Sequence, residues 1–185
     1  MLANEEKELC LFIARNIINF NLGLNKELVK CPPNEIFQNR YGLFVSIHKN
    51  NQLRGCIGYI KPYKKLYESL IDLAYSAAFR DSRFKQVEAF EVESILIEIS
   101  ILSPLSVISD IDDIEIGRHG LYIQHPYGSG LLLPQVATKN NWNKKTFLEE
   151  TYRKAGISKE DLKNKQAKIY SFEAEIFDES TIKNS

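Results

Sequence analysis

The sequence predicts mixed helices and strands in two related halves that share one sheet system, with the helices packed outside. Three observations predict it. Stripes of helical period alternate with runs of strand period. Each half reads as hairpin, helical segment, strand. "GLYIQH" at 120–125 also echoes "GLFVSI" at 42–47. No low-complexity linker separates the halves, and 185 residues suffice for one domain with a real core. The reading is a single domain over 1–185, with an internal pseudo-repeat at about 42–103 and 120–177.

In the first half, Leu9, Phe12, Ile13, Ile17 and Phe20 form one stripe of a helix over 5–21. Pro32 and Pro33 then enforce an extended connection. "YGLFVSIHK" reads as a strand, "NNQ" as a turn and "LRGCIGYI" as the returning partner, with strands expected at 43–48 and 53–60. "KPYKKLYESLIDLAYSAAF" is a helix opened by Pro62, with Leu66, Leu70, Leu73, Ala74 and Ala77 on one face. "RDSRF" ends it, and a short helix around 84–90 follows. "ESILIEISIL" alternates Ile95, Ile97, Ile99 and Ile101 as a strand.

The second half repeats the plan. Strands are expected at 121–125 and 130–135 around the turn "PYGSG". Pro134 cannot donate to a ladder, so its strand is an edge or ends there. "NKKTFLEETYRKAG" is a helix stopped by Gly156. "KIYSFEAEIF" closes as one strand alternating Tyr170, Phe172, Ala174 and Ile176.

Acidic and basic residues balance at 24 each, so nucleic acid is not the expected partner. No apolar run reaches membrane-spanning length, and the start "MLANEEKELC" does not read as a signal peptide. The three cysteines Cys10, Cys31 and Cys56 form no C-x-x-C. A reducing cytoplasm and three free thiols are expected. The histidines His48, His119 and His125 lack metal-ligand spacing, so no metal site is expected. There is no phosphate loop, dinucleotide fingerprint or nucleophile elbow, and no cofactor is expected.

The stretch "LRGCIG" carries the chemistry. Alternation along a strand puts Arg54 and Cys56 on one face, where a guanidinium favours the reactive thiolate. Gly55 and Gly58 leave room for a backbone or a ligand. The competing reading is a small buried cysteine with glycines at a bulge or a tight packing point. In "AFRDSRF", Asp81 orients a guanidinium or handles a proton; equally, Arg80, Asp81 and Arg83 are the polar residues of a helix-ending turn. Gln135 lines a pocket or merely leaves the sheet.

At "LRGCIG" the chain resembles the AMMECR-type domain, also called AmmeMemoRadiSam system protein A. "AAFRDSRF", "EISILSPL", "IGRHGLYI", "GLLLPQVA" with Trp142, and "SFEAEIF" resemble further blocks of that family in the same order, over roughly residues 9–177. The chain departs from the family pattern at Tyr59, Ser82 and Lys85. The resemblance implies an α+β fold of two β-β-β-α-α-β-like halves on a curved, barrel-like mixed sheet. By gene neighbourhood it implies two partners, a Memo-like protein and a radical S-adenosylmethionine protein. The matched polar positions are Arg54, Cys56, Arg80, Asp81, Arg83, His119 and Gln135.

The resulting expectation is an enzyme or an accessory subunit acting on an unknown small molecule. Cys56 is its nucleophile or redox group, Arg54 lowers the thiol pKa, and His119 or Asp81 handles the proton. Arg80, Arg83 and Gln135 bind substrate. Arg54 is expected to pair with Asp81, and Cys56 to lie on a pocket floor. The alternative is an adaptor whose "LRGCIG" face docks a protein or nucleic acid.

Overall fold

Alternating apolar residues on either side of two asparagines build the first hairpin. In the computed structural model, which describes residues 2–157 and 167–182, β1 (Gly42–Lys49) pairs antiparallel with β2 (Gln52–Tyr59). Asn50 and Asn51 turn the chain with φ of 52° and 60°. Two consecutive positive φ values make the primed turn that matches strand twist, and Asn tolerates them. The ladder then slips. Ile47 faces Gly55 while His48 faces Leu53, so Arg54 is an extra residue with no partner of its own. This is a β-bulge.

The chain forms two compact units, residues 1–102 with 175–185, and residues 103–174. The first contains α1 (Asn4–Asn21), the hairpin, α2 (Leu66–Phe79), β3 (Ile95–Leu102), β8 (Ala174–Asp178) and α5 (Glu179–Ile182). Its sheet runs in the order β2-β1-β3-β8. Leu43, Val45 and Ile47 face Ile101, Ile99 and Ile97 across the ladder, and these six join Ile13, Ile17, Leu70 and Leu73 of the helices in one core. Full burial of each such side chain contributes about 1.5–3 kcal/mol. The expected short helix near 84–90 lies slightly later, as a 3-10 turn over Ala89–Ser94.

The second unit contains β4 (Ser106–Val107), β5 (Gly120–His125), β6 (Gly128–Leu132), α3 (Pro134–Lys139), α4 (Lys144–Lys154) and β7 (Lys168–Phe172). Its sheet order is β4-β7-β5-β6. Both units share one wiring. The first strand of each hairpin is central and pairs with the strand that follows the helices, β1 with β3 and β5 with β7. Both also bring a helix onto the hairpin's edge strand at glycine. A Cβ on Gly55 would stand 2.2 Å from the Ala77 carbonyl oxygen, and one on Gly130 2.4 Å from Ala155 N.

Three expectations are corrected. The halves do not share one sheet; the strands form two four-stranded sheets. The return strand of the second hairpin ends at Leu132, because Pro134 opens α3, where its missing N–H is harmless. The closing strand is two strands, β7 and β8, divided at Glu173, and they belong to different sheets. Among the described residues, no helix is long and apolar enough to cross a membrane.

Candidate functional site

The bulge sets the site. A hairpin without it would place Ser46 opposite Gly55; the extra residue shifts the register so that Ser46 faces Cys56. β2 is an edge strand, and its outer side lacks a neighbour. The outward groups of Cys56 are met by side chains of the turn after α2. Cys56 N donates to Asp81 Oδ2 at 2.9 Å, and an Arg83 guanidinium nitrogen donates to the Cys56 carbonyl at 2.9 Å. Because those groups point outward, the Ser46–Cys56 pair is of the non-hydrogen-bonded kind, in which side chains approach most closely. Ser46 Oγ accordingly lies 3.2 Å from Cys56 Sγ. The turn stands in for a missing strand and covers the open edge.

Asp81 is buried and fully engaged. Arg83 donates to Oδ1 from Nε at 2.9 Å and to Oδ2 at 2.6 Å, and its backbone N–H adds a third bond. The Arg83 hydrogen bonds, then the backbone donors, hold the Asp81 carboxyl down at about 2 against the opposing effect of burial. Asp81 is therefore an ionised clamp.

Arg54 does not pair with Asp81. At the bulge it leaves the ladder and meets Glu91 with two hydrogen bonds, Nε to Oε1 at 3.2 Å and a terminal nitrogen to Oε2 at 2.9 Å. It also donates to the Lys85 and Gln86 carbonyls at 2.6 and 3.0 Å. Lys49 adds a 2.9 Å bond to Glu91, whose carboxyl is held at about 2 by Arg54 first and then Lys49. Simple alternation misplaced Arg54 because a bulge interrupts alternation.

The Cys56 thiol is pushed above its ordinary value, chiefly by burial. The Ser46 hydroxyl and the Arg83 charge pull against that, while Asp81 and Glu98 add to it. Arg83 thus exerts the pull expected of Arg54. Gly55 accommodates the α2 backbone, and Gly58 sits under the Phe44 ring. Cys56 occupies the opposite face of β2 from Gly55, away from α2, and is half-buried. It does not line the open groove of about 500 Å³ in this unit, which is formed by Arg15, Asn19, Val92, Ile95, Leu96 and Glu179 among others.

Arg80 is exposed and lies over the Tyr75 ring at 4.8 Å, with no carboxylate partner among the described residues. His119 and Gln135 belong to the second unit. His119 Nδ1 accepts from Glu115 N at 3.1 Å, and Gln135 sits in α3 with its Oε1 buried and unbonded. Sequence reasoning missed Ser46, Glu91 and Glu98. Ser46 was within reach through the hairpin register, had the bulge been counted.

Comparison with known proteins follows this geometry. The family model AMMECR1 matches residues 11–177. A protein of Methanothermobacter thermautotrophicus is 39% identical over 96% of each chain. Protein MK0488 of Methanopyrus kandleri is 38% identical over 95% of this chain and 89% of its own. The crystal structure of uncharacterized protein PH0010 from Pyrococcus horikoshii superposes with a TM-score of 0.86 at 34% identity, covering 96% of this chain and 93% of that one.

Proposed function

Given that the chain belongs to the AMMECR1 family, we propose that it works through a Cys56-centred site for a small anionic molecule, as an enzyme or the accessory subunit of one. One observation supports this most. Both outward backbone groups of Cys56 are fixed by the Asp81–Arg83 pair, while its side chain stays half-buried beside Ser46 on the face away from α2. In this reading the resting group is a protonated thiol, which becomes a nucleophile when its proton is taken. Asp81 and Arg54 are positioning residues, the first for Cys56 and the second for the 85–91 segment. Arg80 and the exposed Arg83 supply positive charge for the substrate. His119, expected as a proton-handling residue, and Gln135, expected to bind substrate, lie in the second unit and have no role in this reading. The proposed setting is the cytoplasm, with a Memo-like protein and a radical S-adenosylmethionine protein as partners.

Alkylation of the folded protein, read by mass spectrometry at each cysteine, tests this. Cys56 is expected to label at a measurable rate, with a midpoint above the free-thiol value of about 8.5. Inorganic phosphate is expected to slow it. Labelling of Cys56 only after unfolding would reduce it to packing and favour the adaptor.

A further inference from the structure

The face of the first sheet that carries Cys56 holds a second titratable pair. Cys56, Ser46 and Glu98 lie in one row across β2, β1 and β3, since Ser46 faces Cys56 on one side and Glu98 on the other. His48 is two residues along β1 from Ser46 and shares that face. Its Nε2 is buried and makes no hydrogen bond, yet lies 3.8 Å from Glu98 Oε1. That is too long for a hydrogen bond and within ion-pair range. The nitrogen is unpartnered while the imidazole is neutral and gains a partner once it is protonated. Its own opposite number on β3 is Leu96, so the imidazole and the carboxylate meet between the His48 rung and the Ser46 rung. Both side chains are partly accessible, at 28% and 23%.

We propose that His48 is the base of this site, taking the Cys56 proton through the Ser46 hydroxyl, with Glu98 stabilising the charged imidazole. The inference rests on Cys56 being the reactive group. In the step, the S–H bond breaks and its electron pair stays on sulfur. The proton passes to Ser46 Oγ as the Ser46 hydroxyl proton passes to His48 Nε2 over one water. Ser46 is unchanged, and the products are a thiolate and an imidazolium. No oxidant or co-reactant is needed. A nucleophile with a base close by is a general arrangement for activating a weak nucleophile. The groups acting on the thiol are Ser46 from β1, Glu98 from β3, and Asp81 and Arg83 from the turn, with His48 two residues along β1 on the same face. Of these, His48 is the one whose side chain carries a buried ring nitrogen with no hydrogen-bond partner.

The test is the rate of Cys56 alkylation by iodoacetamide at neutral pH in the folded full-length chain, with the urea-unfolded chain as control. His48→Gln is expected to slow it by about a hundredfold, the lower end of what a positioned base contributes. Glu98→Gln and Ser46→Ala slow it less, and none of the three alters the unfolded rate. Imidazole in the buffer restores the rate of His48→Ala and leaves the wild type unchanged, which a packing role would not do. If His48→Gln folds and labels at the wild-type rate, His48 is not the base, and the Cys56 site stands. Should His48→Gln not fold, an unchanged rate in Glu98→Gln overturns the proposal. Wild-type Cys56 that labels only on unfolding sinks both readings.

Discussion

Gly55 and Cys56 are neighbours with opposite duties. Gly55 receives the α2 backbone, and Cys56 turns its thiol to the other face. The missing side chain at 55 is what lets the helix lie on β2, since a Cβ there meets a main-chain oxygen at 2.2 Å. A main-chain atom in a packed helix moves only with the helix. Gly55→Ala is therefore expected to destabilise the protein by at least about 1–3 kcal/mol, the usual cost of overpacking. Urea unfolding checks it, and an unchanged midpoint would show that α2 is free to shift. At this scale the sequence was informative about residue type and poor about partner. The glycines in "LRGCIG" promised a close approach, and one occurs. Arg54 promised a carboxylate and has one, but Glu91 lies 37 positions away and nothing in the local letters marks it. Long charged side chains choose partners by where loops travel, and spacing does not encode that.

At the scale of elements, the 80–83 turn acts as a short substitute strand along the open side of β2. Asp81→Ala leaves the Cys56 N–H without its acceptor and Arg83 without its partner. The expected loss is about 1.5–3 kcal/mol, as for a hydrogen bond to a charged group. Hydrogen exchange locates it. The Cys56 amide should exchange much faster, while the amides of Val45 and Ile47, in the centre of the sheet, hold. Uniform acceleration would mean that the turn supports the whole unit and not its edge. The hairpin itself was legible, because alternating apolar residues and an asparagine turn leave few alternatives. The bulge was not, since its position depends on how Arg54 is drawn out of the ladder. The break at Glu173 was hidden for a different reason. The alternation Tyr170, Phe172, Ala174, Ile176 continues across it, and only the pairing partners change. The assumption of one shared sheet failed with it.

At the scale of the whole molecule, stability depends on acid through two carboxyls. Asp81 and Glu91 are each held at about 2 in the folded chain. Both values are depressed, so both groups favour folding above their ordinary range near 4, and that contribution is lost as pH falls towards 2. Each contributes on the order of 2 kcal/mol at neutral pH. Midpoints of urea unfolding should fall between about pH 4 and pH 2 and stay flat above pH 5. Arg54→Met is expected to remove much of the Glu91 share. Circular dichroism follows the entire chain, whereas the lone tryptophan, Trp142, reports the second unit. Our single-domain reading expects the two signals to move together. Separate midpoints would divide the chain into two folding domains.

The sheet order β2-β1-β3-β8 has a consequence for how the protein is made. A ribosome delivers residues in order, and domains generally fold from the N-terminus as they emerge. Here the first unit cannot finish first. Its fourth strand and Glu179, the ion-pair partner of Arg15, arrive only after all of residues 103–174 have been synthesised. Until then the nascent chain carries β3 with one side unpaired, a template for the wrong strand. The second unit, continuous in sequence, has all its strands earlier. Residues 174–178, translated after the second unit, therefore complete the sheet on which Cys56, Ser46, His48 and Glu98 are displayed. A chain broken off before Ala174 would hold every one of those side chains and lack the strand that closes their sheet.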